Sequence, residues 1–107
     1  MSTQNSTLDR LQRLEAIYRQ GYQSDTVDQT VEKIIALEGA QARRELNAIK
    51  ARLDTFEKEY RMSSAEFARR FYAGELGDGA EFFEWSAFYD MAQSLLERLQ
   101  LLETKAA

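Results

Sequence analysis

The sequence predicts an all-α protein, and three features of its 107 residues support that prediction. Proline is absent and glycine occurs only 5 times, so little in the chain would interrupt a helix. Apolar residues recur at steps of three and four, which places them along one side of a helix. Cysteine is absent, which excludes a disulfide framework and a thiolate zinc site. We expect residues 1–107 to form a single helical domain, in which shorter helices fold back on a long central one.

Helix 1 is predicted over residues 7–20. Ser6 or Thr7 can serve as its N-cap, and Gly21 is a natural end. Its apolar residues, which recur at steps of three and four with one adjacent pair, are Leu8, Leu11, Leu14, Ile17 and Tyr18.

Helix 2 is predicted over residues 25–61, with N-cap candidates at Ser24-Asp25-Thr26. Only Gly39 interrupts it, and the sequence leaves open whether the helix continues there or kinks. Its later apolar residues follow heptad spacing, which is typical of coiled coils. A helix this long cannot bury its whole apolar stripe within a small monomer, so we expect a homodimer. The predicted oligomer seam is Leu46, Ile49, Leu53, Phe56 and Tyr60.

Helix 3 is predicted over residues 63–73, because Ser63 and Glu66 form a capping-box pattern and Gly74 stands at the expected C-terminal position. A glycine-containing linker follows. Helix 4 is predicted over residues 79–103, with Asp78 as its cap. Its apolar residues again follow a heptad pattern and are Trp85, Phe88, Ala92, Leu95, Leu99 and Leu102.

Aromatic and acidic residues concentrate in the second half of the chain. Eight of the 12 aromatic residues fall within the 23 residues from Phe67 to Tyr89. Residues 1–62 carry 10 basic and 10 acidic side chains, whereas residues 63–107 carry 4 basic and 8 acidic ones, a net charge of -4. Such a segment attracts a basic partner and repels nucleic acid. The aromatic cluster has two open interpretations, a local core or a docking surface.

Several classes of function are disfavoured by the residue types present. The chain has neither His nor Cys, so no conventional base would activate a nucleophile, and we expect no enzyme activity. A carboxylate metal site is the remaining enzymatic alternative, and we expect no metal or other cofactor. The basic residues of helix 2 alternate with acids, so direct nucleic-acid binding is not expected. No apolar run suits a membrane span or signal peptide, and a cytoplasmic location is expected. The carboxylates weighed for a metal site are Asp78, Glu81, Glu84 and Asp90.

Three short motifs in the C-terminal half carry a resemblance to a known group. They are Met62-Ser63-Ser64-Ala65-Glu66-Phe67, then Phe71-Tyr72-Ala73-Gly74-Glu75-Leu76-Gly77-Asp78, and Phe83-Glu84-Trp85. In these motifs, within about residues 60–99, the chain resembles small helical prokaryotic proteins that are antitoxin-like or uncharacterised. The resemblance implies binding to a protein partner, and it assigns no catalytic residue.

Composition and resemblance together predict a non-enzymatic protein-binding module of antitoxin or neutralising type. We expect an acidic aromatic patch to dock a basic partner. The alternative is a structural, oligomeric coiled-coil adaptor whose long helix supports a larger assembly. The predicted partner-binding residues are Tyr72, Glu75, Asp78, Phe83, Glu84 and Tyr89.

Overall fold

The computed structural model describes residues 3–103, with side chains from Ser6 onward. Four helices make up this part of the chain, which contains no strand, so the all-α prediction is confirmed. No helix among these residues is long and apolar enough to cross a membrane. The chain divides into two compact units, the first ending at Ile34 and the second beginning at Ile35. The helices are α1 (Thr3–Arg19), α2 (Asp25–Tyr60), α3 (Ser64–Tyr72) and α4 (Ala80–Glu103).

Helix α1 begins earlier than the sequence predicted. Ser6 and Thr7 lie inside the helix and do not cap it, because the polar residues before them are tolerated in a first helical turn. Its end agrees with the prediction. Gly21 has a φ of 96° and donates its N–H to Tyr18 O at 3.0 Å, which closes the last turn.

The first unit is a helical hairpin held together by Tyr18. Its hydroxyl donates to Asp28 Oδ1 at 2.6 Å and accepts from the Ser24 amide at 3.1 Å. Ser24 also caps α2, since its Oγ accepts from Val27 N at 3.3 Å. One tyrosine therefore links the end of α1 to the start of α2.

In the second unit, α2 and α4 share one apolar core along the heptad stripes that the sequence indicates. Helix α2 includes Gly39, so the helix continues through that residue. The seam residues Leu46, Ile49 and Leu53 are buried within the single chain, and Phe56 and Tyr60 pack at the edge of the same core. A second copy is not needed to cover them, and self-association along this seam stays a prediction. The buried core is Ala42, Leu46, Ile49, Leu53, Phe67, Trp85, Ala92, Leu95 and Leu99.

Trp85 joins all three helices of the second unit. Its ring stacks on Phe67 of α3 with centroids 3.9 Å apart and planes 5° from parallel. Phe56 and Tyr60 of α2 stack at 5.4 and 5.5 Å. The indole N–H donates to Ser64 Oγ at 2.9 Å, so this fully buried side chain has its one polar group satisfied.

The two ends of α3 follow the sequence prediction, whereas the start of α4 does not. Ser63 Oγ accepts from Glu66 N at 3.1 Å, as an N-cap should. At the other end, Gly74 has a φ of 77° and donates to Phe71 O at 3.0 Å. Helix α4 begins at Ala80 and its first bonds run to Gly79 O, so Asp78 lies one residue too early to be the N-cap.

Replacing Gly74 with valine should lower the free energy of unfolding by about 1 kcal/mol or more, because L-residues resist the left-handed conformation. A Cβ at Gly74 would meet no atom within 4 Å, so the cost comes from the backbone alone. Urea denaturation followed by circular dichroism measures this change. An unchanged midpoint would contradict the role of Gly74 as the end of α3.

Arg61 provides the reciprocal test, because this exposed non-glycine residue has a φ of 53° between α2 and α3. Arg61→Gly should raise stability by about 0.5 kcal/mol, since relief of the left-handed penalty exceeds the added unfolded-state entropy. The same denaturation measurement applies. A loss of stability would mean that the Arg61 side chain contributes more than its backbone strain costs.

Removing the acceptor of the indole should also destabilise the fold. Ser64→Ala would leave the Trp85 N–H buried without a partner, at a cost of about 1–3 kcal/mol. Ser94→Ala, at an exposed position of α4, is the matched control. Denaturation followed by the fluorescence of the single tryptophan measures both variants. Equal stability of the two variants would show that the Ser64–Trp85 bond contributes nothing.

Candidate functional site

The joint between α3 and α4 holds two exposed aromatic side chains, Tyr72 and Phe83, each in contact with Phe71. The Gly74 turn ends α3, and the chain returns through a short linker to the first turn of α4. Phe83 of α4 is 55% exposed and meets Phe71 edge-on, with ring centroids 5.4 Å apart. Tyr72, at the last position of α3, is 61% exposed. Both rings therefore stand on the surface beside a packed helix joint.

Tyr72 is held in place by α4. Its hydroxyl lies 2.9 Å from Ser86 Oγ and donates to the Asp90 carboxylate at 2.9 Å. Phe83, Ser86 and Asp90 follow one another at steps of three and four, so they share one face of α4. We call Tyr72, Phe83, Ser86 and Asp90 the Tyr72–Phe83 surface.

The predicted acidic residues Glu75, Asp78 and Glu84 are exposed, and none of them forms a hydrogen bond with Tyr72. Glu75 lies 3.9 Å from the Arg70 guanidinium, a long and exposed ion pair. Glu84 follows Phe83 directly, so the helix turns its side chain about 100° away from that ring. Among residues 6–103, the carboxylates of Asp78 and Glu84 have neither a hydrogen bond nor an ion pair. They remain exposed charges near the joint and not members of the Tyr72–Phe83 surface.

The rest of the aromatic cluster belongs to the core. Phe67 and Trp85 are fully buried. Tyr89, predicted as a partner-binding residue, is half-buried and packs against that core. The other half-buried rings of the cluster, which also pack on the core, are Phe71, Phe82 and Phe88. Most of the cluster is therefore local core, and Tyr72 and Phe83 are its exposed members.

Sequence reasoning missed Ser86 and Asp90 as members of the site. The signal that could have found them is the spacing from Phe83, because positions three and seven residues later on a helix share its face. The link from Asp90 to Tyr72 has no such signal, since the pairing of α3 with α4 depends on the buried Phe67–Trp85 stack.

A second exposed feature is an open groove of about 590 Å³ between α2 and α4, and Asp90 of the Tyr72–Phe83 surface is one of its lining residues. Ile49 of α2 and Leu95 of α4 form its floor, and the half-exposed Met91 stands at its edge. A 3.8 Å ion pair between Glu45 and Arg98 crosses from helix to helix beside it. The groove has a mostly apolar lining, and its charged residues are Glu45, Asp90 and Arg98.

Two hydrogen bonds that involve carboxylates shift pKa values near the joint, one of Tyr60 and one of Glu66. Tyr60 donates to Glu81, which raises the pKa of the phenol to about 12 because its anion would stand beside a carboxylate. Arg69 donates to Glu66 and lowers the pKa of that carboxyl. The Tyr60–Glu81 pair joins α2 to α4, whereas the Glu66–Arg69 pair lies within α3.

The Tyr72–Phe83 surface and the groove are the two exposed features considered among the described residues. No group of three or more acidic residues among them is arranged to hold a metal ion. The chain matches no protein-family model, no curated protein and no solved structure. Any function proposed for this chain therefore rests on its own geometry, above all on the Tyr72–Phe83 surface.

The Tyr60–Glu81 bond predicts a pH dependence. A folded-state pKa above the ordinary 10.0 means that this group stabilises the fold fully below pH 10.0 and that its contribution is lost as pH rises through about 12. Tyr60→Phe should therefore be less stable than the parent near neutral pH, and the difference should shrink above pH 10.0. Chemical denaturation across this range measures it, with Tyr22→Phe as the control. A difference that stays constant through pH 12 would contradict the assignment.

Proposed function

We propose that this chain is a cytoplasmic, non-enzymatic protein-binding module of antitoxin or neutralising type, which covers a basic surface of a partner protein. The observation that carries the proposal is the pair of exposed rings, Tyr72 and Phe83, on a rigid helix joint. Exposed apolar side chains that cluster can mark an interaction site, and aromatic side chains contribute strongly to the binding energy of protein interfaces.

Pre-organisation of Tyr72 supports a binding role. Its hydroxyl is tied to Ser86 and Asp90, so the ring is already fixed before a partner arrives. A fixed side chain loses little conformational entropy on binding, which favours affinity. Phe83 is similarly supported by its edge contact with Phe71.

The surrounding charge supports a basic partner. Residues 63–107 carry a net charge of -4, and the free carboxylates of Asp78 and Glu84 lie close to the joint. Such charge speeds encounter with a basic surface, whereas the rings would hold the complex once formed. A protein that uses a basic surface to bind RNA fits this description, and covering that surface would neutralise it. The antitoxin-like resemblance of residues 60–99 points the same way.

Kinetic measurements on charge variants test the steering part of the proposal. The partner is isolated by affinity capture and purified, and its association and dissociation rates are measured at two salt concentrations. Neutralising Glu75, Asp78 and Glu84 as Gln, Asn and Gln should slow association and weaken its salt dependence. The matched control neutralises Glu32, Glu38 and Glu97 as Gln, which removes the same charge elsewhere.

Phe83→Ala tests the anchoring part. It should raise the dissociation rate at least about tenfold with little effect on association. Leu96→Ala is the control, since Leu96 is also an exposed apolar residue of α4 but lies on another face of the helix. Circular dichroism checks that each variant is folded. If the charge and Phe83 variants bind as the parent does, the exposed rings are not a docking surface, and the oligomeric adaptor becomes the better interpretation.

A further inference from the structure

The first unit is a hairpin without a buried core. Between Ser6 and Ile34 no side chain is fully buried, although both helical segments carry an apolar stripe. Leu8 and Leu11 are 55% and 54% exposed, and Ile34 is 52% exposed. A helical hairpin consists of only two helices. An apolar stripe that they leave half-exposed needs a further element packed on it to exclude water. The exposed aliphatic residues of this apolar face are Leu8, Leu11, Leu14, Val31 and Ile34.

The size of this apolar face suits a pair of identical copies. Five half-exposed aliphatic side chains present roughly 300–500 Å² of apolar surface, which is the size of patch that marks an interaction site. Two such faces together bury roughly 600–1,000 Å² of apolar area, and the polar rim brings the total near the ~1,200 Å² of a small stable interface.

Charge also favours a second copy over the basic partner. Residues 6–34 carry 4 basic and 5 acidic side chains, a net charge of -1, whereas residues 35–103 carry 9 and 13, a net charge of -4. Within the hairpin the charges are divided. Residues 6–19 of α1 have 3 basic and 2 acidic side chains, and residues 25–34 of α2 have 1 and 3. If α1 of one copy lies against α2 of the other, the net positive α1 segment faces the net negative α2 segment. A two-fold axis makes this favourable contact occur twice.

We propose that two copies of this chain pair through the apolar face of the first unit and form a four-helix bundle from two hairpins. The bundle supplies the core that neither hairpin has alone. This surface differs from the predicted seam at Leu46, Ile49 and Leu53, which the second unit already buries. The pairing stands independently of the basic partner.

Sedimentation equilibrium of the full chain tests the pairing. The parent should behave as a dimer of the 12.4 kDa chain. Leu11→Glu/Ile34→Glu places four charges in the two-fold interface and should weaken dimerisation at least about 100-fold. Leu96→Glu/Leu101→Glu is the matched control, because it changes two exposed apolar residues of α4 to the same acid. The control should dimerise as the parent does.

A thiol probe locates the interface without adding charge. The chain has no cysteine, so Leu11→Cys creates a single reactive site. Its labelling by a maleimide should slow as protein concentration rises through the dimer dissociation constant, whereas labelling of Leu101→Cys should not. This measurement decides the case if circular dichroism shows that the glutamate variant has lost helix.

Three results would overturn the proposal. One is a parent chain that stays monomeric at high micromolar concentration. Another is a dimer that persists unchanged in a folded Leu11→Glu/Ile34→Glu chain. The third is a labelling rate for Leu11→Cys that does not depend on concentration, because that would leave the apolar face open in every species present.

Discussion

The second unit depends on the stacking of Trp85 against rings from two other helices. Phe67 approaches it at 3.9 Å from α3, and Phe56 and Tyr60 approach from α2. Helix α3 has only 9 residues, too few to be stable alone in water, so packing must maintain it. The hydrogen bond from the indole to Ser64 fixes the first turn of α3 against α4. One buried residue thus determines where a marginal helix lies.

This buried contact also sets the geometry of the exposed rings. Because Phe67 and Tyr72 belong to the same short helix, fixing the first against Trp85 directs the second toward Asp90 and Ser86. The surface is therefore an outcome of core packing and not of local sequence. A change at the core that let α3 rotate would displace Tyr72 from Ser86 and Asp90 without altering these three residues.

Local signals predicted much of the fold, and tertiary pairing explains what they missed. Ser63 caps α3 and Gly74 ends it, because a cap needs only a few neighbouring atoms. A heptad stripe shows that Leu46 will be buried, yet it does not show which helix will cover it. Here α4 of the same chain does so. The left-handed Arg61 had no sequence signal, since its conformation is imposed by the joined helices. The candidate site was only partly predicted for the same reason.

The two proposed surfaces use different physical interactions, so an experiment can distinguish binding at one from binding at the other. The apolar face of the first unit is nearly neutral, so its pairing rests on burial and should change little with salt. The Tyr72–Phe83 surface lies in the acidic half, where encounter with a basic partner weakens as salt screens the charges. Pairing of copies would also give each assembly two acidic surfaces, and a partner with two basic sites would gain affinity only if both could be reached together. Salt therefore separates the contribution of pairing from that of partner binding in one and the same chain.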